Sequence, residues 1–275
     1  MKNNDLGGDM GGIRARLERS ARDLLYGSRW FFPLRSGYQF IFSREKRAFR
    51  QKICEFYAGF VHRGDLVFDV GANIGMYSEV FSELGANVVA VEPNPACCGR
   101  LRQLARTRPV SVECCAVGDV PGRKTMHICE DPHLSTLTDY WRDAVQRSPL
   151  HRDARWLGTM EVEVITLDQL AERYGVPAFV KIDVEGYDDL VLRGMSFRPQ
   201  ALSFEYYHEM SEVAARCLGV LARAGGFRFN YARGLDMHMT SETWMRADEL
   251  LERLEKLAGN NEYGDVFARR DDAKD

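Results

Sequence analysis

The stretch Val67-Phe-Asp-Val-Gly-Ala-Asn-Ile-Gly75 joins a short apolar strand to a glycine-rich turn. The residues that follow, as far as Leu84, have helical spacing, so the stretch predicts a strand–turn–helix unit. Small residues in such a turn let backbone N–H groups approach a ligand. The glycines are spaced G-x-x-x-G, whereas dinucleotide-binding proteins use G-x-G-x-x-G. We therefore expect a ligand site at this turn, but not a pyrophosphate site.

Two carboxylates accompany the turn. Asp69 lies two residues before Gly71 at the end of the first strand, and Glu92 ends the second predicted strand. Asp69 would repel a pyrophosphate, but it would attract a cation. S-Adenosyl-L-methionine (SAM) carries a sulfonium and an ammonium and no phosphate, and Glu92 is placed to accept hydrogen bonds from its ribose. The pattern favours SAM over a nicotinamide dinucleotide.

The rest of the chain alternates strand-like and helix-like segments. Helices of about a dozen residues between apolar strands predict βαβ units and a parallel sheet. The predicted core strands are 65–70, 87–91, 111–117, 178–182, 200–204, 227–231 and 264–268. Residues 124–129 and 161–166 are predicted to form additional strands, and 130–158 is a long polar insertion.

Composition narrows the class of protein. The chain has 275 residues, 45% of them hydrophobic, and a net charge of −3, which is typical of a globular protein and gives no reason to expect nucleic-acid binding. It has no apolar stretch of membrane-spanning length, and its first dozen residues do not resemble a secretory signal. The seven cysteines show neither a disulfide framework nor zinc-site spacing. We expect a cytoplasmic protein with reduced cysteines; the sequence indicates no oligomeric state.

The first 52 residues differ from the remainder. They contain 12 Lys and Arg against 5 Asp and Glu, a local charge of +7, together with eight aromatic residues, and 13–26 has the pattern of an amphipathic helix. Three explanations remain open: a helical lid over the pocket, peripheral contact with an anionic membrane at the inner membrane surface, or binding of an anionic acceptor through Arg29, Arg35 or Arg44. We expect an N-terminal segment over 1–60 and a catalytic domain over 61–275.

Five motifs within residues 62–232 resemble the FkbM family of SAM-dependent methyltransferases. They are FDVGANIGMYS, VEPNP, AVGDVPG, VITLDQL and FVKIDVEGYDDLVLRGM, in that order along the chain. The resemblance implies a class I methyltransferase (Rossmann-like) α/β fold, with a seven-stranded sheet that is mostly parallel and has an antiparallel last strand. It also implies O-methylation, most often of a sugar hydroxyl in a glycolipid, a polysaccharide or a natural product.

The same resemblance implies roles for individual residues. The methionine side of SAM would lie on Asp69, Gly71, Asn73 and Gly75, and Glu92 would hold the ribose. The adenine would lie near Cys115 and Ala116, and Ser135 matches a family serine near the cofactor. The acceptor would be a small molecule or a glycan.

Methyl transfer to a hydroxyl also needs a group that takes the proton. Asp183 and Glu205 end neighbouring predicted strands, so we expect them to share one crevice and either to act as a base or to bind Mg²⁺. Glu185 is expected to point to the other side as a supporting residue. His208 follows Glu205 by three residues and is a metal-free candidate for the general base. The sequence does not choose between metal and base.

Three function classes are compatible with these patterns. The first is a methyltransferase that acts on a sugar hydroxyl or on another natural-product hydroxyl. The second is a nicotinamide-dependent oxidoreductase or epimerase, which the glycine spacing and Asp69 disfavour. The third is a catalytically silent SAM-binding scaffold with the same fold.

Overall fold

A computed structural model describes residues 38–147, 151, 154–234, 236–256 and 263–271. The helices are α1 (Tyr38–Tyr57), α2 (Met76–Glu83), α3 (Pro95–Leu104), α4 (Asp139–Arg147), α5 (Leu167–Tyr174), α6 (Asp188–Arg193), α7 (Ser211–Ala224) and α8 (Ala247–Lys256). The strands are β1 (Leu66–Val70), β2 (Asn87–Val91), β3 (Val110–Glu113), β4 (Ala116–Val117), β5 (Gly122–Cys129), β6 (Trp156–Ile165), β7 (Phe179–Ile182), β8 (Ala201–Tyr207), β9 (Phe227–Arg233) and β10 (Tyr263–Arg270). Short 3₁₀ helices cover Pro132–Leu134 and His208–Met210.

Seven strands form one sheet in the order β3-β2-β1-β7-β8-β10-β9. The neighbours from β3 to β8 run parallel, and β10 is antiparallel to both β8 and β9. This topology confirms the predicted class I methyltransferase fold and its antiparallel last strand. The carboxyl ends of β1, β2, β7 and β8 lie along one edge of the sheet, which is where open α/β sheets bind ligands.

Burial and capping explain the central elements. All four residues of β7 and four of the five in β1 are buried, as expected for parallel strands covered on both faces. Helix α3 begins where the Asn94 side chain accepts the N–H of Ala96, with Pro95 in its first turn. Helix α5 begins with a capping box formed by Thr166 and Gln169.

The third strand departs from the prediction over 111–117. β3 pairs with β2 only up to Val91 and Glu113: the Glu92 N–H donates to the Glu113 backbone oxygen, and the next N–H on that side, that of Asn94, donates to the Glu92 carboxylate instead. The chain then leaves the large sheet, and β4 pairs with β6 in a second sheet of order β4-β6-β5. The predicted strands 124–129 and 161–166 are confirmed as β5 and β6. The insertion contributes the first 3₁₀ helix, α4 and the start of β6.

The chain divides into two compact units, Met1–Gln51 and Lys52–Asp275. The predicted helix over 13–26 and most of the basic segment 1–52 lie outside the described residues. In the second unit, Tyr57 at the end of α1 is fully buried and packs against the rings of Phe81 and Phe179. Among the described helices, none combines the length and apolar character that crossing a bilayer requires.

Candidate active site

The glycine turn after β1 depends on left-handed backbone conformations. Gly71 and Gly75 have φ values of 80° and 90°, and Asn73 between them has a φ of 49°. A Cβ on Gly71 would stand 1.8 Å from the backbone oxygen of Asp183, so only glycine fits there. The turn is therefore packed directly against the end of β7, and this contact brings the two halves of the site together.

Asp69 lies beneath this turn and is almost completely buried. The Ser78 hydroxyl, from α2, donates a hydrogen bond to its Oδ2 at 2.5 Å. Burial raises the pKa of Asp69, while the Lys181 ammonium and the Ser78 hydrogen bond oppose that shift. A buried carboxylate that is only partly compensated favours a cationic ligand.

Glu92 fixes the shape of the turn from the end of β2. Its carboxylate accepts the backbone N–H of Asn73 at 2.9 Å and that of Asn94 at 2.8 Å. Burial raises the pKa of Glu92 to about 7, although both hydrogen bonds oppose the shift. A carboxylate can accept about four hydrogen bonds, so two acceptor positions are left for a diol. The structure thus brings Asp69, the glycine turn and Glu92 together at the carboxyl ends of β1 and β2.

The remaining predicted cofactor residues lie where the two sheets meet. Cys115 and Ala116 are buried at the crossing from β3 to β4. Ser135, also buried, accepts the backbone N–H of Cys129 at 3.1 Å and so ties the insertion to the end of β5. Their predicted contacts with the cofactor stay predictions.

Asp183, Glu185 and Glu205 form a second cluster at the same edge of the sheet. One carboxylate oxygen from each lies within 4.8 Å of the others. Asp183 and Glu205 are brought together as predicted, but Glu185 was expected to point away. Glu185 has a φ of 54°, which interrupts the strand-like alternation and turns its side chain toward the other two. The Thr136 hydroxyl, from the insertion, donates to the backbone oxygen of Glu185 at 2.8 Å.

The pKa values of Asp183 and Glu205 in this second cluster are shifted in opposite directions. The Lys181 ammonium lies 2.7 Å from Asp183 Oδ2. Burial favours the neutral acid of Asp183, but Lys181 and a hydrogen bond with Glu205 outweigh burial and lower its pKa. Burial and the neighbouring charges of Asp183 and Asp265 raise the pKa of Glu205 well above its usual value. Asp183 and Glu205 therefore titrate as a pair, in which Lys181 favours the ionised form of Asp183 and the neighbouring acids favour the neutral form of Glu205.

His208 is not brought together with Asp183 and Glu205. Its Nδ1 lies 3.4 Å from the hydroxyl of Tyr206, which also donates to the backbone oxygen of Leu254 in α8. Successive strand residues point to opposite faces, so Tyr206 lies on the face of β8 opposite Glu205. His133, from the insertion, acts on Asp183 electrostatically and lowers its pKa.

Sequence reasoning missed two acids beside the cluster, the half-buried Asp265 and the buried Asp188. Asp265 pairs with Glu205 across the antiparallel β8–β10 register, and burial raises its pKa to about 6. Asp188 begins α6, and burial raises its pKa to about 7. A cavity of about 10 Å³ beside Glu205 is lined by Asp188, Trp141, Gly186, Tyr207, Met210 and Val213. The sequence could have identified Asp265 as a neighbour of Glu205 only if the pairing register of strand 264–268 with the strand that contains Glu205 had been known.

Comparisons with known proteins agree with this geometry. The chain is 33% identical over 158 residues to 31-O-demethyl-FK506 methyltransferase FkbM of Streptomyces tacrolimicus, covering 48% of this chain and 60% of that protein. It is 31% identical over 142 residues to hexuronic acid methyltransferase AglP of Haloferax volcanii, covering 51% and 54%. The chain thus spans little more than half the length of these curated relatives.

Solved structures resemble the chain more distantly. Magnesium protoporphyrin IX methyltransferase ChlM of Synechocystis PCC 6803, solved with bound SAM, aligns at 12% identity with a TM-score of 0.41 over 98% of this chain and 100% of that chain. The fold class rests on the strand order and not on this alignment. The family model described as "Methyltransferase FkbM domain" matches residues 69–256. Because that match covers about two thirds of the sequence and includes both carboxylate clusters, the chain belongs to the FkbM methyltransferase family.

Proposed function

We propose that the protein transfers a methyl group from SAM to a hydroxyl of a small-molecule or glycan acceptor. One observation carries the proposal: Asp69 and Glu92, two buried carboxylates, flank a left-handed glycine turn at the carboxyl ends of adjacent strands. This site suits a cationic ligand that carries a ribose diol, and its carboxylates would repel a pyrophosphate. Membership of the FkbM family supports the same reaction.

The second cluster supplies the chemistry on the acceptor side. Methyl transfer is an in-line displacement, so the acceptor oxygen must lie opposite the sulfonium. In our proposal the ionised Asp183 accepts the hydroxyl proton as the C–O bond forms and the C–S bond breaks. Glu205 carries a proton and donates it in a hydrogen bond to Asp183, which keeps that carboxylate in place beside the acceptor. Neutral S-adenosylhomocysteine (SAH) and the methyl ether are the products.

Mg²⁺ bound to Asp183 and Glu205 is the alternative to a carboxylate base. Three carboxylate oxygens within 4.8 Å are a donor set that Mg²⁺ prefers. One contact favours the metal-free mechanism: Asp183 Oδ2 is already bound by the Lys181 ammonium, a cation that would compete with Mg²⁺ for this oxygen. His208 as the base is less favoured, because its ring contacts Tyr206.

The acceptor we propose is a sugar hydroxyl. One relative is named for action on a hexuronic acid. The half-buried ring of Tyr207, of the kind that sugars commonly stack on, lies next to Glu205 and stacks on Tyr263 at 6.1 Å, whereas Trp141, 5.0 Å from Tyr207, belongs to the buried core. A non-sugar natural-product hydroxyl is the second candidate, because the other relative is named for demethyl-FK506.

Calorimetry tests the cofactor. SAM and SAH should both bind, NAD⁺ should not, and Glu92→Gln should weaken SAM at least about 10-fold by removing a charged acceptor from the ribose. Glu113→Gln is the matched control, because Glu113 ends the next strand but bonds Arg173 and Tyr174. NAD⁺ binding with no affinity for SAM would contradict the proposal.

Turnover tests the reaction and its base. A panel of hexuronic acids, neutral sugars and hydroxylated polyketides should contain a methylated member; SAM binding without any turnover would indicate the silent scaffold. With that acceptor, Asp183→Asn should lower kcat about 10²–10⁴-fold, whereas His208→Ala and excess EDTA should leave it unchanged. Activity that EDTA abolishes and Mg²⁺ restores would establish the metal mechanism instead.

A further inference from the structure

Five ionisable side chains form a row on one face of the central strands. Asp69 and Lys181 are register partners in β1 and β7, and Asp183 follows Lys181 by two residues on the same face. Glu205 and Asp265 are register partners in β8 and β10 and continue the row. Four members of the row are acids and one, Lys181, is a cation.

Lys181 is buried in a way that lysines rarely are. Its side chain is 2% exposed, although a lysine normally keeps its ammonium in water unless the charge is paired. The ammonium lies 2.7 Å from Asp183 Oδ2 and 4.2 Å from the centre of the Tyr77 ring. These two contacts fix its position from the β7 side and from the α2 side.

The position of Lys181 connects the two halves of the site. On one side its register partner is Asp69, which lies under the glycine turn. On the other side its ammonium binds Asp183, which is 29% exposed and thus open to the crevice. Because Lys181 binds Oδ2, Oδ1 is the oxygen of Asp183 that lies outside this ion pair.

We propose that Lys181 is a positioning residue for methyl transfer, which holds Asp183 with its Oδ1 directed at the acceptor hydroxyl. This inference rests on the proposed function and adds a residue to it. Lys181 touches neither the acceptor nor the reacting atoms; it acts through Asp183. The cofactor surface is adjacent, but its hydrogen bonds are made by Ser78 and by backbone N–H groups rather than by Lys181.

A double-mutant cycle on the full chain tests this role. Lys181→Met keeps the length of the side chain and removes the charge; it should lower kcat about 100-fold, a larger effect than that on the KM for SAM, which follows from the loss of the charge beside Asp69. In an Asp183→Asn background the same substitution should lower kcat less than about 3-fold, because the carboxylate that Lys181 positions is already absent. Lys124→Met is the matched control: Lys124 also lies over a tyrosine ring, that of Tyr187, but it is exposed on β5.

The outcomes are distinct. A Lys181→Met variant within about 3-fold of wild type would overturn the proposal, as would an equal loss in both backgrounds, which indicates a purely structural role. If Lys181→Met does not fold, Lys181→Gln, which keeps a hydrogen-bond donor, takes its place in the cycle. Failure of the wild-type protein to bind SAM or to turn over any panel member would remove the proposed function itself, and with it the reaction that Lys181 serves.

Discussion

At the scale of single residues, Gly71 has the least freedom of any position in the site. A side chain there would meet the Asp183 backbone at 1.8 Å and would force a φ of 80° on an L-residue. We expect Gly71→Ala to lower the free energy of unfolding by about 2–4 kcal/mol and to abolish SAM binding, because the turn and the end of β7 must separate. Urea denaturation and calorimetry measure the two effects.

Gly64→Ala is the control for that experiment. Gly64 has a similar φ of 90°, but a Cβ there would meet nothing within 4 Å. Gly64→Ala should therefore lower the free energy of unfolding only through backbone strain, by about 1 kcal/mol, and should leave SAM affinity unchanged. Equal losses for the two variants would mean that left-handed strain, and not the contact with Asp183, makes Gly71 necessary.

The same residues show what a sequence can predict. Asp69, Glu92, Asp183 and Glu205 were predictable because each ends a strand, and the ends of parallel strands share an edge. Glu185 was not, because a left-handed non-glycine residue depends on a tertiary contact, here the hydrogen bond from Thr136. The side of β8 that His208 faces likewise depends on where the 3₁₀ helix starts.

At the scale of elements, the insertion is coupled to the acceptor side of the site through Thr136. Its hydroxyl donates to the Glu185 backbone oxygen at 2.8 Å and accepts the N–H of Thr138 at 3.0 Å. Thr136→Val has nearly the same shape but neither bond, and should cost about 1–3 kcal/mol of stability. We also expect lower kcat with unchanged SAM affinity, because Glu185 would leave its strained conformation.

Thr136→Ser should restore both properties, because it keeps the hydroxyl. Thr125→Val is the matched control, since Thr125 bonds Glu161 on the exposed surface of the same small sheet. Unchanged stability and turnover in Thr136→Val would show that the insertion only covers the site.

The division of the predicted third strand into β3, in the large sheet, and β4, in the small sheet, was not predictable from the sequence. It depends on where the neighbouring strand β2 ends.

At the scale of the whole molecule, buried acids make the response to pH unusual. Burial raises the pKa values of Glu92 and Asp188 to about 7 and that of Asp265 to about 6, against values near 4 in an unfolded chain. Between about pH 4 and these raised pKa values, the three carboxyl groups are largely protonated in the folded protein but ionised in the unfolded chain. Stability must therefore fall as pH rises through this window, the reverse of the behaviour of a salt-bridged carboxylate.

Calorimetric melting of the SAM-free protein checks the sign. The Tm should fall by at least about 3 °C between about pH 6 and pH 8. Asp188→Asn imitates the protonated acid, so it should reduce this fall and should be at least as stable as wild type at the higher pH. A Tm that is flat or rises over the same range would mean that these carboxylates are ionised in the folded protein and are stabilised by partners.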